Sequence, residues 1–430
     1  MTPLAWVDAA LTTARPQAIG ALLRYFRDLD TAEEAFQDAC LRALKTWPQQ
    51  GPPRDPAAWL IMVGRNVALD SMRRRAKQVA LPDEQTLSDT DDAETATVER
   101  LDDSHYRDDI LRLLFICCHP DVPVVQQIAL ALRIVCGLSV AQIARAFLVG
   151  PSAMEQRITR AKARIAKTAV PFEAPGAAER AERLAAVAAM IYLLFNEGYS
   201  ARGSEGYSAR GSEAGSREPL ASEAIRLIRL LLRLFPAEPE IMGLAALMLL
   251  QDARAESRFD PEGEIVLLED QDRNRWDKAG IAEGLALIDK AMRHKRPGPY
   301  QVQAAIAALH ARAATPQDTD WTQIDLLYAN LERLQPSAIV TLNRAVAVNK
   351  VRGPNDALAM VEPLNERLAG YFYFHGLRGA LLEQLGRHDD ARESFARAIA
   401  LANTPAEAAH IRQHLDRLSA SPRPAVGTEK

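Results

Sequence analysis

Apolar residues recur at helical spacing along most of this chain, and the pattern is most regular in residues 137–168. Ser139, a residue type favoured at helix N-caps, precedes apolar positions spaced three or four residues apart. Gly150 and Pro151 interrupt the pattern, and Ser152 is expected to cap a second helix. The apolar positions are Val140, Ile143, Ala144 and Phe147 in the first helix, then Met154, Ile158, Ala161 and Ile165 in the second. This segment is therefore predicted to form a helix-turn-helix.

The other faces of the second predicted helix are strongly basic. Against the single acid Glu155 stand five cations: Arg157, Arg160, Lys162, Arg164 and Lys167. Such a helix suits DNA recognition, because phosphates supply most of the affinity and base edges supply the selectivity. A solvated basic face on an ordinary helical hairpin has the same pattern, so the local sequence leaves both interpretations open.

Further helical patterns precede this segment. A short amphipathic helix is predicted over residues 17–28, and Asp30 is expected to cap a longer one, with Glu33 completing a capping box. The apolar period of the longer helix runs to Trp47, and a loop rich in proline and glycine is predicted over residues 48–55. The opposite face of the longer helix is polar or acidic at Glu33, Glu34, Gln37 and Asp38.

Asp55 is predicted to cap a helix over residues 56–77 that has two different faces. The inward face is Trp59, Leu60, Val63 and Val67. The other face is a polar stripe of Asn66, Asp70, Arg73, Arg74, Arg75 and Lys77. This stripe suits a nucleic-acid backbone. A solvated helix end explains it equally well, with Asp70 paired to Arg73 or Arg74 and the cations complementing the helix dipole.

Composition supports a multidomain helical protein. The chain has 430 residues and is rich in alanine and leucine, which predicts an all-α fold of about two to four domains. The net charge of −4 is unevenly distributed. Residues 1–77 carry 11 basic and 8 acidic side chains. Residues 78–109 carry 2 basic and 11 acidic ones, and residues 139–169 carry 6 basic ones and 1 acidic one. The basic character is therefore confined to two segments.

The acidic residues 78–109 are poor in apolar side chains, so we expect a linker without a core of its own. Residues 110–118 and 124–136 are strongly apolar helices that should pack under the helix-turn-helix. His119 lies between them and is interpreted as a turn residue.

Four cysteines without metal-ligand spacing are expected to be buried and reduced: Cys40, Cys117, Cys118 and Cys136.

Other functional classes find little support in the sequence. No apolar run approaches membrane-spanning length, so a cytoplasmic protein without a membrane interaction is expected. We find no HExxH motif, no glycine-rich phosphate loop and no nucleophile motif. The sequence therefore predicts a protein that is not an enzyme and that needs no cofactor or metal.

Two motif sets, in this order, resemble extracytoplasmic-function (group IV, sigma-70 superfamily) sigma factors of RNA polymerase. The set that resembles region 2 is Asp30-Thr-Ala-Glu-Glu-Ala-Phe-Gln-Asp, Ala58-Trp59-Leu60, Arg65-Asn66, Asp70 and Arg73-Arg74-Arg75. The set that resembles region 4 is Leu138-Ser139, Gln142-Ile143-Ala144, Gln156-Arg157-Ile158 and Arg160-Ala161-Lys162. Gln142 stands where the family often has glutamate.

The resemblance implies a role for each motif. Glu33, Glu34, Gln37 and Asp38 would dock on the clamp helices of the polymerase β′ subunit, and the region 4-like domain on the β flap. The loop at residues 48–55 would hold a base flipped from the minus-ten element, and Asn66, Asp70, Arg73, Arg74 and Arg75 would contact the melted strand. The helix from Ser152 would enter the major groove at the minus-thirty-five element. Its early residues Ala153, Glu155, Gln156 and Arg157 would reach base edges there, and Arg160, Lys162 and Arg164 would hold phosphates. In sigma factors the linker lies in the RNA exit path, where its charge could mimic nucleic acid or act only as a tether.

About 260 residues follow the part that resembles an ordinary member of this family. Residues 197–204 (EGYSARGS) recur as residues 205–212, a duplication tolerated in a flexible loop. Residues 262–272 form a carboxylate-rich turn for which helix capping and surface pairing are favoured over a cation site. Further on, Arg344-Ala345 and Arg378-Gly379 are 34 residues apart, as are Asp356-Ala357 and Asp390-Ala391. That period is typical of tetratricopeptide repeats, which usually bind peptides or proteins.

The predicted organisation has six parts: a region 2-like domain (10–77), the acidic linker (78–109), a region 4-like domain (110–169), a helical extension (175–298), tetratricopeptide-like repeats (299–420) and a disordered tail (421–430). We expect a factor that directs core RNA polymerase to promoter DNA, with an extension that regulates it through an intramolecular or protein partner. The alternative is a tetratricopeptide-type scaffold or DNA-binding regulator that does not act with core polymerase.

Overall fold

The computed structural model describes residues 5–77, 103–147, 149–167, 177–201, 218–260, 264–402 and 404–420. These residues form helices and connecting turns, with an isolated β-bridge between Phe259 and Ile265, which confirms the all-α prediction. The chain divides into two compact units, residues 1–194 and 195–430. The duplicated segment at 197–212 was predicted to be a loop, but its first five residues belong to a helix that ends at Ala201. The rest of the duplication and the tail at 421–430 lie outside the described residues.

The first module of the N-terminal unit consists of α1 (Ala5–Phe26), α2 (Leu29–Gln50) and α3 (Pro56–Lys77). The first helix is thus longer than the predicted residues 17–28 and continues through Pro16. Val7, Ala14 and Ala18 are buried on either side of this proline. Their packing offsets the roughly 3 kcal/mol that a proline costs inside a helix.

The cap of α2 also differs from the prediction. Asp28, not Asp30, is the N-cap, and its carboxylate accepts hydrogen bonds from Thr31 N at 2.7 Å and Thr31 Oγ1 at 2.6 Å. Asp30 lies in the first turn, where its charge is favourable beside the helix dipole. At the other end α2 continues through Pro48 to Gln50, so the predicted loop begins at Gly51 rather than Pro48. Gly51 has φ +86°, and its N–H donates to Trp47 O at 2.9 Å.

Asp55 caps α3 as predicted, accepting hydrogen bonds from Ala57 N at 2.9 Å and Ala58 N at 3.1 Å. The second module consists of α4 (Asp103–Cys117), α5 (Val124–Ala131) with a π-helical turn (Leu132–Cys136), α6 (Val140–Ala146) and α7 (Pro151–Lys167). Gly137 ends the π-helical turn in a left-handed conformation, with φ +80°.

Helix α4 begins before the predicted end of the acidic linker at residue 109. Asp109 is only 1% exposed, and its carboxylate lies 3.0 Å from Arg112 Nη1 and 3.6 Å from Arg24 Nη2. These neighbouring cations compensate the charge of the carboxylate, so an acidic side chain can be buried between packed helices. The rest of the linker, residues 78–102, lies outside the described residues.

The four cysteines are free thiols. Cys117, Cys118 and Cys136 are buried, as predicted, whereas Cys40 is only half-buried. Burial raises the pKa of Cys118 to about 12 and that of Cys40 to about 11, although the nearby Arg15 opposes the shift at Cys40. These thiols are therefore neutral near pH 7.

Helix α8 (Ala177–Ala201) extends past the predicted end at Phe195, and the boundary between the two units falls inside it. The C-terminal unit continues with α9 (Glu218–Leu234), α10 (Pro239–Asp252), α11 (Lys278–Met292), α12 (Pro299–Arg312), α13 (Trp321–Leu334), α14 (Ala338–Arg352), α15 (Pro354–Val361), α16 (Phe372–Gln384), α17 (His388–Leu401) and α18 (Pro405–Ala420). Short helical turns at Glu362–Leu364 and Asn365–Leu368 join α15 to α16.

The 34-residue period appears directly in the helix starts. Helices α14 and α16 begin 34 residues apart, and so do α15 and α17. Gly353, with φ +92°, and Gly386, with φ +72°, lie at the turns between the paired helices. The sequence period therefore corresponds to two stacked helix–turn–helix units.

We expect Gly379→Ala to destabilise the C-terminal unit by about 1–3 kcal/mol, the usual cost of overpacking a core. A Cβ atom at Gly379 would lie 2.6 Å from the ring of Phe395, which is fully buried and has no room to move. Gly376→Ala is the matched control on α16, since its Cβ would meet Ile411 Cδ1 at an ordinary 3.5 Å. Chemical denaturation should show a gain of roughly 0.5–1 kcal/mol for the control, from higher helix propensity. Equal effects of the two substitutions would contradict the packing argument.

Two carboxylates of the turn at residues 262–272 cap a helical turn and form a surface ion pair, the roles that the sequence favoured over a cation site. Asp272 accepts a hydrogen bond from Asn274 N at 3.0 Å, and Glu269 forms an ion pair with Lys350 at 2.9 Å. Glu262, the first acid of the turn, lies outside the described residues.

Candidate nucleic-acid and polymerase interface

Helices α6 and α7 form the predicted helix-turn-helix. Ser139 Oγ accepts from Gln142 N at 3.2 Å, and Gln142 Oε1 accepts from Ser139 N at 2.8 Å. This is a reciprocal capping box, so glutamine at position 142 performs the capping that glutamate would also perform. The second helix starts at Pro151, and Ser152 lies in its first turn rather than at the cap, because proline is well suited to a first helical position.

The predicted apolar stripe of α7 is buried, at Met154, Ile158, Ala161 and Ile165. This packing fixes the rotation of the helix and turns its first-turn side chains outward. The exposed residues there are Ser152, Ala153, Glu155 and Gln156, and Arg157 beside them is half-buried. The start of α7 therefore presents a row of small and polar side chains to solvent, a geometry that can enter a major groove.

The three predicted phosphate-binding cations are in different environments. Arg160 and Arg164 are exposed, and Arg164 Nη1 donates to the backbone of Asp121 at 2.9 Å. Lys162 is instead turned toward α2, where its Nζ lies 2.7 Å from Asp30 Oδ1 and 2.7 Å from Glu33 Oε2. Burial lowers the pKa of Lys162, but the hydrogen bonds to these two carboxylates outweigh that effect and raise the pKa overall.

The polar stripe of α3 is accessible. Asn66 and Arg73 are exposed, and Asp70 is half-exposed. Asp70 and Arg73 approach only to 3.9 Å, and such exposed pairs contribute little, so Arg73 stays available to a ligand. The helix includes Arg74 and Arg75, but their side chains lie outside the described part of the structure.

The polar face of α2 differs from the prediction at one position. Glu34 and Gln37 are exposed and Asp38 is half-exposed, whereas Glu33 is only 5% exposed. Glu33 faces the second module, where Arg133 Nε lies 3.2 Å and Lys162 Nζ 2.7 Å from its carboxylate. It is therefore buried among cations and does not share the solvent-exposed face of the other three residues.

The sequence patterns did not identify Arg15 and Arg133, which complete the surroundings of Glu33. Arg15 Nη2 lies 3.8 Å from Glu33 Oε1, and its guanidinium stacks over the ring of Phe36 at 4.9 Å. Both arginines are isolated cations in largely apolar helical stretches. Arg15 lies 18 residues from Glu33 in the chain and Arg133 lies 100 residues from it, so neither pairing leaves a sign in the local periodicity.

Both N-terminal modules match known protein families. Residues 11–78 match the family model of Sigma-70 region 2, and residues 112–165 match that of Sigma-70, region 4. The chain is a sigma factor of the extracytoplasmic-function type. Its region 2 is the module of α1–α3, and its region 4 includes the helix-turn-helix.

The sigma factor acts in promoter recognition, and its partners are core RNA polymerase and promoter DNA. Sigma-factor families are not enzymes.

The C-terminal extension of this chain matches a family of unknown function, DUF6596, over residues 183–292. An uncharacterized protein of Rhizobium meliloti (strain 1021) is 67% identical over 430 residues, the full length of both chains. No solved structure matches the sigma factor. Among the residues that the structure describes, no helix is long and apolar enough to span a membrane.

Proposed function

We propose that α7 reads the minus-thirty-five element in the major groove. The exposed start of the helix carries this proposal, because Ser152, Ala153, Glu155 and Gln156 face solvent beside Arg157 while the opposite stripe is packed. Gln156 suits adenine and Arg157 suits guanine, since each can form two hydrogen bonds with that base. Arg160, Arg164 and, once it is released from α2, Lys162 bind phosphates.

The first module binds the minus-ten element. Its exposed stripe on α3, at Asn66, Asp70 and Arg73 with Arg74 and Arg75 following, contacts the melted strand and its phosphates. The loop at residues 51–55, preceded by Pro48 in the last turn of α2, holds a flipped base.

Polymerase binds the polar face of α2. The exposure of Glu34 and Gln37 and the partial exposure of Asp38 support binding to the β′ clamp helices, and Glu33 joins them after it separates from its cations. The second module docks on the β flap. The protein acts in the cytoplasm and has no catalytic activity of its own.

The extension regulates the sigma factor through a protein or intramolecular partner. A cavity of about 760 Å³ in the C-terminal unit supports this role. Helices α12 to α14 and the loop before α11 line the cavity, with apolar walls at Leu267, Trp321 and Val346 and charges at Glu269 and Lys350. A wide, amphiphilic groove of this kind suits a peptide segment.

In vitro transcription with core polymerase on a genomic promoter library tests both parts of this function. The full chain should direct initiation at a defined set of promoters. A chain ending at residue 201, at the end of α8, keeps the whole N-terminal unit. It should bind core polymerase but change promoter output by on the order of tenfold, within the range of regulatory couplings. Full and normally regulated activity of the shortened chain would remove the role of the extension. No selective initiation by the full chain, despite a folded protein, would contradict the promoter-binding roles.

A further inference from the structure

The turn between α11 and α12 carries a dense group of cations in the C-terminal unit. Lys290, Arg293, Lys295 and Arg296 fall within seven residues, and the sequence has no acidic residue from Lys290 to Gln317. Elsewhere in the chain, four cations within seven residues occur only at the end of α3, in residues 73–77. Residues 195–430 as a whole carry 32 acidic and 29 basic side chains. This basic turn (residues 290–296) therefore differs in charge from the unit that contains it.

Hydrogen bonds hold the backbone of the basic turn. Helix α11 ends at Met292, and the next three N–H groups each donate to the carbonyl three residues back, at 3.1–3.3 Å. Lys295 has φ +51°, in the left-handed region that few lysines adopt. The side-chain amide of Gln301, a buried residue, donates to Arg296 O at 2.8 Å. A backbone fixed in this way has little entropy left to lose when its side chains bind a partner.

The four cations of the basic turn are exposed, and none of them forms an ion pair with another of the residues that the structure describes. Two acids lie nearby. Asp289 pairs with Arg312 at 3.0 Å. Glu240 of α10 accepts hydrogen bonds from Tyr300 N and from the backbone and side chain of Gln301, at 2.9–3.2 Å. Both carboxylates are thus engaged by other groups.

Internal interactions explain only part of this charge. Lys290 and Arg293 complement the dipole at the C-terminal end of α11. Lys295 and Arg296 lie beyond the helix, where that effect falls off. Other arginines of the unit are paired within it, as Arg344 is with Asp325 at 2.7 Å. The basic turn is therefore suited to an anion from outside the unit.

A nucleic-acid backbone fits the basic turn better than a protein surface does. Met292, which is 54% exposed, is its one large apolar side chain. Protein interfaces are depleted of lysine and are built around several aromatic and apolar anchors, whereas phosphate contacts use lysine and arginine without them. Promoter DNA is already a partner of this sigma factor. A further site on the same chain meets that DNA at a roughly millimolar effective concentration, so even a weak contact adds affinity.

We propose that the basic turn binds the phosphate backbone of promoter DNA, as a sequence-independent contact in addition to those of the two N-terminal modules. The extension then contributes to promoter affinity directly, beyond its proposed regulation through a partner. This contact depends on promoter DNA being the partner and not on which residues of α3 and α7 touch it. The basic turn shares no residue with the lining of the cavity of about 760 Å³, so substitutions can separate the two roles.

Removing the four charges together tests the contact, in a chain with Lys290→Gln, Arg293→Gln, Lys295→Gln and Arg296→Gln. Holoenzyme reconstituted with this full-length variant should bind a labelled promoter fragment on the order of tenfold more weakly at about 0.1 M salt, as measured by fluorescence anisotropy. The slope of log affinity against log salt should fall by roughly 3, because each lost phosphate contact removes about 0.9. Promoters with different minus-thirty-five elements should be weakened alike, since phosphates carry no base identity.

The matched control makes the same change in net charge at four exposed cations spread over the same unit: Arg233→Gln, Lys278→Gln, Arg367→Gln and Arg412→Gln. It should keep the affinity and the salt slope of the unsubstituted holoenzyme. Equal affinities and equal slopes for the two folded variants would overturn the proposal. If the unsubstituted holoenzyme itself failed to bind promoters, this proposal and the promoter-binding roles of the N-terminal modules would fall together. A normal basic-turn variant beside a defective shortened chain would contradict the basic turn alone.

Photo-crosslinking distinguishes DNA from protein as the partner. A benzophenone amino acid placed at Met292, in the middle of the basic turn, should join to promoter DNA in the holoenzyme complex. The same amino acid at Tyr373 of α16, which is also 54% exposed, is the control and should give far less DNA product. A Met292 product with a polymerase subunit and none with DNA would identify an acidic protein surface instead and overturn the proposal. Equal DNA yields from the two positions would also overturn it, because they would show general proximity rather than a local contact.

Discussion

Replacing Trp47 by alanine is expected to lower the free energy of unfolding of the N-terminal unit by about 3–5 kcal/mol. Trp47 is 2% exposed, stacks on Trp6 with ring centroids 6.3 Å apart, and meets the edge of Trp59 at 5.2 Å. Its indole N–H has no hydrogen-bond partner within the described residues. The loss would therefore come from packing and from the cavity that the substitution leaves.

Differential scanning calorimetry can measure this effect, because the chain has two compact units. We expect the transition of the N-terminal unit to move to lower temperature while that of the C-terminal unit stays in place. Leu41→Ala is the matched control on α2, since Leu41 is 58% exposed and should change stability by less than about 0.5 kcal/mol. A comparable loss in both variants would show that the three tryptophans do not form the core of region 2.

Arg157→Ala should cost about 1–3 kcal/mol in binding to a preferred minus-thirty-five element and should relax the preference at one base pair. Arg157 lies half-buried at the end of the exposed row of α7, one residue before the buried Ile158. Partial burial leaves an arginine side chain fewer orientations than full exposure would, which favours a directed contact with a base edge over a diffuse one with phosphate.

The comparison variant is Arg160→Ala, which removes an exposed cation from the next turn of the same helix. We expect it to weaken binding to all promoters alike and to reduce the salt dependence by roughly one phosphate contact. Transcription by the reconstituted holoenzyme from promoters with randomised minus-thirty-five elements would measure both changes. If Arg157→Ala weakened every promoter equally, Arg157 would be a phosphate contact and not a base-reading residue.

Local sequence determined the helices, the buried stripes and the repeat period. The stripe of α7 could be predicted because Met154, Ile158, Ala161 and Ile165 recur at the spacing of one helix face. The 34-residue period likewise appears in the starts of α14 and α16. These features depend on residues close together in the chain, so periodicity is sufficient to identify them.

Helix ends were less predictable, because several residues of the same type compete for each role. Asp28 and Asp30 are both good N-caps, and only the backbone conformation at position 28 gives that residue the role. Pro16 and Pro48 are typical helix breakers, yet both lie inside helices. Burial of the surrounding apolar residues decided where these helices begin and continue. Rules based only on neighbouring residues in the sequence do not take burial into account.

Periodicity and local motifs were enough to predict two sigma-type modules, a helix-turn-helix and a repeat-like extension. Folding revealed that Glu33 is buried, that Lys162 turns away from the solvent-exposed face of its helix, and that Arg15 joins the two modules. Such contacts are long-range: Lys162 and Glu33 are 129 residues apart in the chain, so their attraction leaves no periodic trace in the sequence.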